Sequence, residues 1–112
     1  MAQACIAALA ICMLAAMSIR ANRRFKDEDR LPMQWSLDKS VNWTAPRPVA
    51  LAFTPVLAAI VLSATVALTV SVKPKPGQEG LEVPTMLFIA LVFIGAHALH
   101  LWLIERSLHS SR

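Results

Sequence analysis

The chain reads as an all-α integral membrane protein, with three transmembrane helices and an aromatic loop over residues 20–48. Three observations predict this. Only 16% of the 112 residues are charged and the mean hydropathy is +0.54, whereas an ordinary soluble domain is about a quarter charged. Residues 1–19, 49–72 and 83–104 contain no Asp, Glu, Lys or Arg, so every charged side chain lies outside them. Each uncharged run is close to the ~20 apolar residues a helix needs to cross a bilayer, and none carries the polar face a soluble helix turns to water. A soluble enzyme, a disordered tail and a disulfide scaffold are excluded on these grounds. Runs of this length are also too long and too continuous for strands, and only helices satisfy their own backbone groups in lipid.

The first helix, about residues 2–19, is short and alanine-rich. It has no basic residue before Arg20, and Arg20, Arg23, Arg24 and Lys26 follow it at once. Such a cluster resists translocation, so the segment reads as a retained span rather than a cleaved signal peptide. Cys5 and Cys12 share a face of this helix but stand about 10 Å apart along its axis, too far for a bond within it. They read as small packing residues, with an intermolecular bridge as the alternative. The second helix, about 49–72, contains Pro55, which removes one backbone donor and predicts an irregular start. Residues 73–82, with two prolines and two glycines, form a turn. The third helix, about 83–104, opens at Pro84, a favourable first-turn position. Together they make a single membrane domain over 1–112.

Close packing of small residues drives helix association in lipid. Ala4, Ala8, Cys12 and Ala16 in the first helix, and Ala59, Ser63, Ala67 and Ser71 in the second, recur every four residues. These two rows are expected to pack against each other. Orientation follows from Lys and Arg near the span ends: seven of the eleven lie in 20–48, against Lys73 and Lys75 in the second connection. The prediction is N-terminus out, 20–48 in, 73–82 out and C-terminus in. The net charge of +4 is then topology charge near anionic headgroups, not a nucleic-acid footprint.

His97 and His100 form the main candidate polar intramembrane site. Three residues apart, they share a helix face in a spacing that suits metal or haem ligation. The alternative is a pair of neutral histidines bonded to another helix or to the 20–48 loop. His109, Glu105-Arg106 and the Asp27-Glu28-Asp29 run read as solvated. No phosphate loop, HExxH, nucleophile elbow or paired-Cys motif is present, so the chain is expected to be no enzyme and to carry no cofactor or structural metal.

The loop from Leu31 to Arg47 holds Trp35 and Trp43 amid charges and prolines. Interfacial anchoring by the two tryptophans is one reading; a compact recognition cap is the other. Leu31-Pro32, then Trp35, Asp38, Trp43 and Arg47 ahead of a proline-containing span, resembles the uncharacterised domain at the N-terminus of Sdp toxin-immunity type bacterial membrane proteins. The match covers about residues 31–62. Gln34 stands where that pattern has His, and Ser36 and Lys39 where it has Gly. The resemblance implies a bacterial inner-membrane protein and an envelope-facing loop, whereas the charge pattern places the loop inside.

These readings converge on a non-enzymatic accessory, sensing or immunity-like unit acting by protein–protein contact. Its expected partners are the lipid bilayer and a membrane protein or a second copy of itself. Arg23, Arg24, Trp35, Asp38 and Trp43 are the candidate partner-binding residues. The alternative is a small transport or redox subunit built on His97 and His100.

Overall fold

A computed structural model describes residues 2–36, 40–72, 76–77 and 80–110. Helices α1 (Ala2–Arg24), α2 (Arg47–Ser71) and α3 (Glu82–Ser110) run up, down and up, and strands β1 (Arg30–Trp35) and β2 (Val41–Pro46) form an antiparallel hairpin between α1 and α2. All three helices are long and apolar enough to cross a membrane. The most apolar stretch of each is only 22%, 22% and 17% buried within the molecule, and Leu9, Phe53, Ile60, Phe88 and Leu91 point outward.

Each helix is longer than its uncharged run, because a helix continues past the last apolar residue as long as its backbone bonds are made. α1 adds a turn and a half carrying Arg20, Arg23 and Arg24, and α3 continues past Ile104 through Glu105 and Arg106. α3 follows a turn in which Gly77 and Gly80 take positive φ, +84° and +85°, a conformation that costs glycine little. Glu82 in its first turn complements the helix dipole.

The hairpin corrects the all-α expectation for residues 20–48. Val41, Thr44 and the two tryptophans favour extended backbone. Pro32 and Pro46 are tolerated because a two-stranded sheet has only edge strands. The ladder pairs Arg30 with Pro46, Leu31 with Ala45, Pro32 with Thr44, Gln34 with Trp43 and Trp35 with Val41. Its register therefore shifts by one residue after Pro32 and shifts back before Trp35. The backbone N–H of Ser36 donates to Ser40 O at 2.9 Å.

Two cores result. In one, Ala7, Ala10 and Leu14 of α1 meet Ala58 and Leu62 of α2 and Met86 and Ala90 of α3. In the other, Phe25, Leu31 and Ala45 seat the hairpin on Ala21, Ala50, Leu51 and Ile104 at the helix ends. The inward positions step by three and four along α1 (Gln3, Ala7, Ala10, Leu14), and along α3 by four, seven and seven (Met86, Ala90, His97, Ile104), with half-buried Phe93 and His100 dividing the sevens into three and four, the spacing of a coiled-coil seam.

The predicted small-residue rows are not these seams. Ala8, Cys12 and Ala16 are exposed, as are Ser63, Ala67 and Ser71, while Ala4 and Ala59 are half-buried. A four-residue row drifts around a 3.6-residue helix, whereas a seam alternates steps of three and four. Cys5 is likewise exposed and unbridged, so neither cysteine packs in the interior. Ala58, fully buried, tests the corrected face. Ala58→Leu should destabilise the protein by about 1–3 kcal/mol through overpacking, measured by unfolding in detergent micelles, while Ala67→Leu on the outward face should be close to neutral.

Candidate functional site: a polar relay and a docked hairpin

Pro55 lies inside α2 and has no N–H, so the carbonyl four residues before it, that of Leu51, loses its regular helical donor. Leu51 is buried, where an unpaired carbonyl is costly. The missing donor comes from α1: Ser18 Oγ donates to Leu51 O at 2.6 Å. The same hydroxyl lies 2.8 Å from Nε2 of His97 on α3. A serine has one hydrogen, already given to a carbonyl that can only accept, so His97 must carry its proton on Nε2 and donate it to Ser18. The relay His97 Nε2–H to Ser18 O–H to Leu51 C=O joins all three helices where the two cores meet. Nδ1 of the fully buried His97 then keeps a bare lone pair, with no hydrogen-bond partner among the described residues.

His100, one turn further along α3, faces the hairpin. Its Nε2 lies 3.4 Å from Pro32 O, and its ring meets Trp35 edge-on, with centroids 5.8 Å apart and planes at 78°. Trp35 Nε1 also donates to Ser107 Oγ at 2.6 Å. The two histidines thus serve different elements, His97 the helix relay and His100 the hairpin. Among the described residues, no group of three His, Cys, Asp or Glu is placed to hold a metal ion.

The far side of the hairpin is held by Arg47. Its Nε donates to Asn22 Oδ1 at 2.9 Å, and its Nη1 faces the carbonyls of Phe25, Lys26 and Glu28 at 3.3, 2.6 and 2.9 Å. These follow the end of α1, where helical carbonyls run out of donors and positive charge is favoured. The backbone N–H of Arg47 donates to Asp29 O at 2.9 Å. One residue at the start of α2 thereby clamps the exit of α1.

The candidate partner-binding residues divide. Trp35 faces inward, as described. Trp43 is half exposed, with its Nε1 donating to Gln34 Oε1 across the hairpin at 2.8 Å. Arg23 is exposed in the last turn of α1. Arg24 forms an ion pair with Glu105 of α3, so Glu105 is not the solvated helix-end charge that its position in the sequence implied. Asp38 lies outside the described residues. At the opposite end of the bundle, Gln3 Nε2 donates to Thr69 Oγ1 at 3.2 Å, tying α1 to α2.

Ser18, Pro55 and Arg47 hold this architecture together, and the sequence reading did not connect them. A usable signal existed. Gln3, Ser18, Thr69, His97 and His100, polar residues inside the apolar runs that bond between elements, occupy or adjoin the three-and-four seams, where polar groups in membrane helices are expected to bond between helices. Comparison with protein-family models, curated proteins and solved structures finds no match for this chain.

The relay predicts a specific non-additivity. Ser18→Ala should cost about 1–3 kcal/mol, because it strands both Leu51 O and His97 Nε2. Pro55→Ala supplies an N–H to Leu51 O, so in that background the cost of Ser18→Ala should fall by about 1 kcal/mol. Unfolding of the four proteins in micelles measures the coupling; strictly additive changes would refute the relay.

Proposed function

We propose that this chain is an integral membrane protein with three spans that presents its hairpin to a membrane protein partner and catalyses no reaction. The observation that carries this reading is the two-sided hairpin. Leu31, Ala45 and Trp35 fix one side into the bundle, while Val41, Asn42, Trp43 and Thr44 of β2 remain exposed. A half-exposed tryptophan on a rigid support is the kind of side chain that anchors protein interfaces, since it offers large contact area at small entropic cost.

The charge pattern supports placing this end of the molecule in the cytoplasm and the N-terminus outside. The resemblance of Leu31–Leu62 to the Sdp toxin-immunity type of domain supports a bacterial inner membrane and an immunity-like or sensing role. A photo-crosslinking amino acid in place of Trp43 should yield one discrete protein adduct in native membranes. The same probe in place of the outward-facing Leu9 should yield none. Equal labelling from both positions would remove the hairpin as the contact.

A second reading, a small transport or redox subunit, is favoured by one observation: the bare, buried Nδ1 of His97. It predicts stoichiometric metal or a haem absorption band in the purified protein, abolished by His97→Ala. Metal-free, colourless protein purified from native membranes would leave the hairpin reading as the stronger one.

A further inference from the structure

We propose that the groove between the C-terminal parts of α1 and α3 is a binding site for the headgroup of an anionic phospholipid. The inference rests on the reading of the helices as membrane spans. The groove holds about 300 Å³ and exists because Ala21 and Ala98 leave space between the two helices. Its floor is apolar, with Met17 and Leu101 continuing from the helical core, and Arg20, Arg24 and Trp102 also line it.

The charges at this groove do not balance. Glu105 is paired with Arg24 and approached by His109 at 3.7 Å. Arg20, one helical turn before Arg24, faces no acid among the described residues. The Arg106 guanidinium stacks over the Trp102 ring, 5.3 Å from its centroid, which adds a further cation beside the groove wall. Three arginines thus stand against one carboxylate. Guanidinium groups bind phosphate through paired, charge-assisted hydrogen bonds, and basic pockets between membrane helices are where anionic headgroups settle. Trp102 marks the level of the membrane interface, which puts the arginines at headgroup depth and the apolar floor at the depth of the first acyl carbons. Free phosphate has no use for such a floor, so the occupant is a lipid.

The full-length protein, purified in mild detergent, can be offered phosphatidylglycerol or phosphatidylcholine and examined by native mass spectrometry. Phosphatidylglycerol should be retained at least fivefold over phosphatidylcholine. Arg20→Gln should abolish that preference, and Ala98→Leu should do the same by filling the groove without changing charge. Arg23→Gln, on the same helix but outside the groove, should preserve it. Equal losses from Arg20→Gln and Arg23→Gln would overturn the site in favour of diffuse charge attraction, and competition by millimolar inorganic phosphate alone would overturn the lipid assignment. Unfolding midpoints separate loss of the site from loss of fold. Extraction of the protein from membranes by alkaline carbonate would defeat the span reading itself, whereas resistance to carbonate with no lipid preference would defeat only this proposal.

Discussion

The carbonyl oxygen of Leu51 sets the arrangement of the bundle. Pro55 deprives it of its helical donor, and in an apolar interior that vacancy must be filled from outside α2. Ser18 fills it, which fixes how deep α1 sits against α2; His97 then bonds to Ser18, which fixes α3 against both. Each of these hydrogen bonds is worth only about 0.5–1.5 kcal/mol net. Their directionality matters more than that sum. The core on one side is built from Ala7, Ala10, Ala58 and Ala90 among larger side chains and the core on the other from Ala21, Ala45 and Ala50, and contacts between small apolar groups tolerate sliding far better than a hydrogen bond does.

The hairpin follows from the same constraint at the end of the bundle. α1 and α2 must be joined there, and a connection that leaves its carbonyls unpaired beside an apolar core would be unstable. Arg47 gathers those of Phe25, Lys26 and Glu28, and the strand ladder satisfies much of the rest. Trp35 and His100 hold the inner side to α3, so β2 is displayed from a rigid base. The basic residues of this region are therefore not uniform. Arg47 is structural, Arg24 holds Glu105, Arg30 is bonded to Thr44 through Nε at 2.9 Å, and Arg20 and Arg23 remain outward. A count of charges says nothing of this division of labour.

The histidines show how one helix face can serve two elements. His97 and His100 share a helix face, as ligands for one ion would, yet the three-and-four seam passes through both at a point where neighbouring elements diverge. α1 lies against His97, and the hairpin lies against His100.

The sequence by itself determined the three helices, because uncharged runs near bilayer length have only one backbone conformation that satisfies every polar group. It also determined the connection between the first two helices as a special segment, since two tryptophans and seven basic residues do not belong in an apolar span. The hairpin within that connection was hidden because Pro32 and Pro46 argue against strands until the sheet is known to have only edges. The packing faces were decided by tertiary structure alone. Alanines surround these helices, so composition cannot say which row faces inward, and the structure places the seams a residue away from the four-residue rows. The relay was decided there too, since Ser18, Leu51 and His97 are brought together only when all three helices are placed side by side.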